Sequence, residues 1–379
     1  MKTYYEFFAG AGMFRMALGP GRACTFANDI DEKKAASYRA NFGSDVLKVC
    51  DIAAVAPRDL PGRADLWHGS PPCVDLSEAG AGAGLSAPRS GAVWPLLRLL
   101  KAKRAEGLAP WEFTIENVEG WLSKKHAPDF IAVIETLVAT GYRVGALVVD
   151  AVLFLPQSRP RLFIIAVDAA ADIPAALVSP SPQLLWHPLS LVRAHEGLSP
   201  TARGQWLWWR LPTPPRRQTR LIDLLENHAR IEWDGAAKTQ HILGLMDKSN
   251  RAKIEDAQRQ ADGRAVGTLY RRIRPDGKGG KTQRAEVRFD GVAGCLRMPT
   301  GGSSRQTIVV IEGDRVRTRL LTTREAARLM GVDDDYVLPR NYNEAYGLMA
   351  DGVAVPVVRH IAEHILEPLL EARLLKAAE

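Results

Sequence analysis

Cysteine is scarce in this chain. Four thiols, Cys24, Cys50, Cys73 and Cys295, are scattered through 379 residues with no CxxC pair among them. Such scatter offers neither a disulfide framework nor zinc-ligand spacing, so no metal is expected and a reducing cytoplasm is the natural setting. No apolar run approaches the roughly 20 residues of a membrane-spanning helix. The opening MKTYYEFFAG lacks the layout of a secretory signal and reads as a first strand.

What is present is ordinary in amount and uneven in distribution. Hydrophobic residues at 46% and charged residues at 25% suit a globular chain long enough for two domains. The net charge of +7 is concentrated: residues 181–318 hold 24 Lys+Arg against 14 Asp+Glu, leaving 26 against 29 for the rest. A basic middle segment suggests a polyanion docking there, or a surface kept charged for solubility.

The first 170 residues alternate short apolar runs with helical patterns. TYYEFF, ADLWHG, EFTIENV, RVGALVVDAVLF and RLFIIAVD read as strands. DEKKAASYRANF, AVWPLLRLLKAKRAE and PDFIAVIETLVATG read as helices. This alternation predicts an α/β domain with a mostly parallel sheet. From about Ala169 proline, tryptophan and arginine become frequent, predicting a second, more irregular domain. RRIRPDGKGGKTQR and RMPTGGSSRQ read there as glycine-punctuated basic loops, near strands EVRFD and TIVVIEG. LTTREAARLMGV reads as a helix capped by Thr322 or Thr323, and VAVPVVRHIAEHILEPLL as a closing helix.

Four stretches carry chemistry. Phe8-Ala9-Gly10-Ala11-Gly12 follows a strand and can bring backbone close to a cofactor, with Asp29 and Asp51 at the ends of the next two strands. Gly69-Ser70-Pro71-Pro72-Cys73 sets a thiol directly after two prolines, which restricts the backbone leading into it. Glu116-Asn117-Val118 ends an apolar strand, and Pro156-Gln157-Ser158-Arg159-Pro160-Arg161 precedes another. In this order the four resemble the motifs of the cytosine-5 DNA methyltransferases. Arg319–Thr322 with Arg324–Arg328 is similar to that family's penultimate motif.

The resemblance implies a Rossmann-like class I methyltransferase domain with an inserted smaller target-recognition domain. The expected limits are 1–180 for the catalytic part, 181–318 for the insert, and 319–379 for a hinge and a C-terminal helix returning to the first domain. It implies methyl transfer from S-adenosylmethionine to carbon 5 of cytosine in double-stranded DNA, through a covalent Cys73 adduct on a flipped-out base. Glu116 would contact ring nitrogen 3 and the exocyclic amino group, Arg161 the base carbonyl, and Arg159 would support the cysteine. The cofactor would lie among Phe8, Gly10, Gly12, Asp29, Ile30, Asp51, Ile52, Pro72 and Ala354. Lys281, Gln283, Arg284, Ser303, Ser304 and Arg305 would meet DNA. The EAGAGAGLSAPRSG stretch after Cys73 could act as a lid, and WLWWR either stacks on bases or fills a small-domain core.

Three departures from the family pattern stand out: Val74 after the cysteine, Met13 after the glycine turn, and Val353 where an asparagine is usual. An apolar residue at 353 predicts that packing replaces a polar anchor for the cofactor's amino-acid end. Two other readings stay open, a tRNA cytosine-5 methyltransferase and a catalytically inactive DNA-binding homologue. The chain has no CFT tripeptide of the kind found in the RNA-modifying branch. A cytoplasmic monomer is expected, with a separately acting restriction endonuclease left open as a partner.

Overall fold

The computed structural model describes residues 1–72, 90–227, 231–260, 263–275, 280–299 and 305–378. The chain divides into two units. The larger comprises Met1–Asp150, Pro160–Pro215 and Val353–Glu379, and the smaller comprises Ala151–Arg159 and Arg216–Gly352.

In the larger unit a seven-stranded sheet is built from β1 (Thr3–Phe7), β2 (Ala23–Asp29), β3 (Leu47–Val49), β4 (Leu66–Gly69), β5 (Glu112–Val118), β6 (Tyr142–Asp150) and β7 (Pro160–Asp168). Their order is β3-β2-β1-β4-β5-β7-β6. Strands β3 to β5 run parallel, while β7 is antiparallel to both β5 and β6. The expected mostly parallel sheet is thus present, with one reversed strand next to its edge. Because β1 lies between β2 and β4, the chain changes direction across the sheet there, and the carboxyl ends of these strands form the crevice where α/β folds place ligands.

Local signals explain the elements. Asp31 caps the helix Glu32–Phe42 by accepting from the amides of Lys33 and Lys34. The helices Val93–Ala105 and Ala127–Ala139 bury Leu96, Leu100, Phe130 and Ile134 against Trp67, Phe113 and Ile115 of the sheet. Full burial of each such side chain contributes roughly 1.5–3 kcal/mol. The closing helix returns to this unit, interrupted by a π-turn at Ala362–Leu366 between Val355–Ile361 and Glu367–Ala378.

His68 on β4 is 1% exposed, stacked on Phe14 at 3.6 Å, with its Nδ1 2.9 Å from the Thr114 hydroxyl. Burial holds its pKa down, to about 3. A depressed histidine favours folding above its unfolded value near ~6.5, and that contribution is lost as pH falls toward the folded value. Between pH 6.5 and 4.5 the wild type should therefore lose about 2–3 kcal/mol more than His68→Gln. Urea midpoints across that range would show it, and parallel slopes would refute it.

The expected domain limits shift. Residues 181–215 stay with the larger unit because their aromatic residues pack on its sheet. Trp209 donates from Nε1 to the Ile165 carbonyl at 3.1 Å, and Val148 N–H donates to the Trp186 carbonyl at 2.8 Å. A Cβ on Gly145 would lie 2.0 Å from the Leu207 carbonyl, so this segment crosses β6 at backbone contact. The WLWWR tryptophans consequently belong to the larger unit, and Val178–Ser179 (β8) pairs with Trp208–Trp209 (β9). Residues 319–352 stay with the smaller unit, where Arg319 forms a buried two-pronged pair with Glu325, both bonds at 2.7 Å. Thr322 is the cap of the helix Thr323–Arg328, in a reciprocal box with Glu325.

The smaller unit is organised on an antiparallel sheet of β10 (Arg264–Pro275), β11 (Lys281–Arg288), β12 (Thr307–Glu312) and β13 (Arg315–Leu320), ordered β11-β10-β12-β13. Ile242 and Ile254 from two helices, with Met246 from the link between them, pack on Leu269, Val287, Val309 and Ile311. The stretch 271–284, expected as a basic loop, is therefore mostly strand. Frequent arginine and glycine masked its pairing, and only 276–279 lie outside the described residues.

Candidate active site

The glycine turn begins at the end of β1. Phe8 has φ 57°, a conformation rare for a residue with a side chain, followed by Gly10 at 55° and Gly12 at 76°. A Cβ on Gly12 would also lie 2.4 Å from the Phe42 ring, so both conformation and packing demand glycine there. Asp29, 6% exposed at the end of β2, accepts from the Gly10 amide at 2.7 Å and from the Asp31 amide at 2.8 Å. Its carboxylate therefore shapes the turn.

Other expected cofactor residues fall around it. Ile30, next to Asp29, is 66% exposed, an apolar surface beside a buried acid. Asp51 is exposed and accepts from the Ala53 amide at 2.8 Å, while Ile52 is buried. Pro72 is exposed, and Ala354 is buried at the start of the helix Val355–Ile361, with buried Val353 and Val355 on either side. A turn with an open glycine face, a buried carboxylate and an exposed isoleucine fits a nucleoside with ribose hydroxyls and a flat base. Among the described residues no group of His, Cys, Asp and Glu could hold a metal ion.

The neighbouring strand ends carry the second half. Ser70 donates from Oγ to the Phe8 carbonyl at 3.2 Å, joining the end of β4 to the glycine turn. Asn117 donates from Nδ2 to the Pro71 carbonyl at 3.1 Å, tying the end of β5 to the residues that lead into Cys73. Cys73 itself and residues 78–89 of the expected lid stretch lie outside the described residues. Glu116, 6% exposed, stands 3.2 Å from Nε of Arg161 through Oε1. Parallel strands bring their last residues to this crevice, and reversed β7 brings its first, so Arg161 meets Glu116 there.

Arg159 is held by backbone carbonyls. It belongs to the smaller unit and is 2% exposed, donating from Nη2 to the carbonyls of Ala350 (2.9 Å) and Gly352 (2.7 Å) and from Nη1 to the Cys295 sulfur (3.2 Å). Gln157 acts alike, donating to the Leu329 carbonyl at 2.7 Å and accepting from the Leu296 amide at 3.2 Å. In PQSRPR these two side chains thus secure the segment 151–159 within its own unit, and Arg161 pairs with Glu116.

Lys281, Gln283 and Arg284 lie on β11, opposite Pro275, Ile273 and Arg272 of β10. Arg305 donates from Nε and Nη2 to the side-chain Oδ1 of Asn343 at 3.0 and 2.7 Å. Ser303 and Ser304 lie outside the described residues.

The sequence profile of the C-5 cytosine-specific DNA methylases matches residues 2–367. The chain belongs to that family. This methyltransferase is 26% identical to the type II methyltransferase M1.ScrFI of Lactococcus lactis subsp. cremoris, over 97% of its own length and 79% of the relative's. It is 24% identical to M.HhaI of Haemophilus parahaemolyticus, over 96% and 93%. Among solved structures, S. pombe Dnmt2 aligns over 97% of this chain and 99% of that one, with TM-score 0.57 and 17% identity, a likeness of fold. The methyltransferase is a DNA cytosine-5 enzyme by family, and no helix among its described residues is long and apolar enough to cross a membrane.

Sequence reasoning passed over Ser70 and Asn117, which join the strand ends described above. Both sit inside recognised motifs, yet only the folded backbone shows which carbonyls they hold.

Proposed function

We propose that the protein transfers the methyl group of S-adenosylmethionine to carbon 5 of cytosine in double-stranded DNA, through a covalent bond from Cys73 to carbon 6 of a flipped-out base. The observation that carries this reading is the Glu116–Arg161 pair at 3.2 Å, on the strand end that Asn117 ties to Pro71. Cytosine carbon 5 is a weak nucleophile until a thiolate adds at carbon 6 and pushes electron density across the ring. Glu116, as the acid, contacts nitrogen 3 and the amino group, while Arg161 holds the carbonyl oxygen where negative charge grows. The bound cofactor supplies an electrophilic methyl group. Loss of the carbon 5 proton with departure of Cys73 then restores the aromatic ring.

Phe8, Asp29, Ile30, Asp51, Ile52 and Ala354 would hold that cofactor. Val353 is 5% exposed, which suits packing in place of a polar anchor. Val353→Asn should bury an amide without a partner and weaken cofactor binding or stability by about 1–3 kcal/mol. Calorimetric titration decides it: tighter binding with unchanged thermal stability would refute the packing account.

Incorporation of labelled methyl into duplex DNA against tRNA, with bisulfite sequencing of the product, tests the function. Label in tRNA alone would select the RNA reading, and label in neither, with cofactor bound, an inactive homologue.

A further inference from the structure

β10 is longer than the sheet it belongs to. It pairs with β12 only from Arg264 to Leu269, while its pairing with β11 continues to Pro275 opposite Lys281. Tyr270–Pro275 and Lys281–Glu286 therefore form a two-stranded ribbon overhanging the sheet, about 20 Å long at ~3.3 Å per residue. A ribbon of two strands is marginal in water without something packed on it.

The register sorts its side chains onto two faces. One face is neutralised from within. Arg274 donates to Glu286 from Nε at 2.8 Å and Nη2 at 2.6 Å, and Arg272 stands 3.7 Å from the same carboxylate, its guanidinium 5.5 Å from the centre of the Tyr270 ring. Arg284, opposite Arg272, shares this face. The other face carries Arg271, Ile273, Lys281 and Gln283 and no acid. Among the described residues Arg271 and Gln283 have no hydrogen-bond or ion-pair partner, and Ile273 is 69% exposed.

A two-stranded ribbon fits the DNA major groove, about 12 Å wide, where guanine offers two acceptors to arginine, adenine an acceptor and a donor to an amide, and thymine a methyl group to apolar carbon. Arg271, Gln283 and Ile273 supply that set on one face. We infer that this face reads base edges in the major groove, with Ile273 on a thymine methyl. The inference rests on the DNA methyltransferase reading and assigns the sequence-specific part of it.

Bisulfite sequencing of plasmid DNA treated with the wild type first defines the recognised sequence. Arg271→Ala, Ile273→Ala and Gln283→Ala, each checked for wild-type melting, are then tested on duplexes substituted one base pair at a time. Each should lower discrimination at one base pair by about tenfold or more. Replacing the contacted thymine with uracil should reproduce the Ile273→Ala loss in the wild type and add nothing in that variant. Arg272→Ala, on the opposite face, should leave the sequence profile unchanged. Unchanged sequence profiles in the three variants, or a recognised sequence with no A·T pair, would overturn the inference while leaving the methyltransferase reading intact. Absence of 5-methylcytosine with the wild type would overturn both.

Discussion

Cys73→Ser should lower methyl transfer on the order of 10⁴-fold or more, the scale on which removal of an enzyme nucleophile is felt, while S-adenosylmethionine binding persists. A hydroxyl at this position is a far weaker nucleophile than a thiolate, and Cys73 is not among the residues expected to hold the cofactor. Duplex DNA carrying 5-fluorocytosine at the target sharpens the test. Fluorine at carbon 5 blocks the last elimination, so the wild type should remain attached through denaturation. Near-normal turnover by the serine variant would exclude the covalent route. So would absence of an adduct from an enzyme shown to methylate ordinary DNA.

The second large effect concerns stability. Arg22 and Glu112 have fully buried side chains paired at 2.6 Å, and Arg22 Nε reaches Glu367 of the last helix at 2.6 Å, with Lys2 on the same carboxylate. Burial already holds the Glu112 carboxyl up at about 7, and Arg22→Ala leaves it buried in β5 without its partner, which should cost about 3–5 kcal/mol. Against a typical stability of about 5–15 kcal/mol, that is enough to unfold a marginal protein. The double change Arg22→Met with Glu112→Leu removes both charges and should recover most of the loss. Urea titration of the three proteins measures this, and a loss under about 1 kcal/mol for Arg22→Ala would mean that water reaches Glu112.

Much of the sheet was legible because strand and helix periods differ along TYYEFF, EFTIENV and PDFIAVIETLVATG. The direction of β7 was not. An apolar run reads the same whichever way the strand lies, and only its place between β5 and β6 reverses it. Arg159 and Arg161 look equivalent in PQSRPR, yet one is held by carbonyls and the other faces a carboxylate. Such partners come from residues about 190 and 45 positions away, beyond any local pattern. The ribbon was hidden for the opposite reason: its side chains are arginines and glycines surround its turn, so pairing left no hydrophobic alternation to read.

The pairing of β7 also has a consequence in time. Bonded to β5 on one side and β6 on the other, with Leu162 to Val167 no more than 5% exposed, this strand can release its amides to solvent hydrogen exchange only when the whole larger unit opens. The overhanging half of β10, exposed from Arg272 to Pro275 and bonded to one neighbour, can open by itself at far smaller cost. Arg161 thus stands at the start of the slowest-exchanging part of the molecule and Ile273 on one of the fastest. The overhanging half of β10 can therefore open and close many times for each opening of β7.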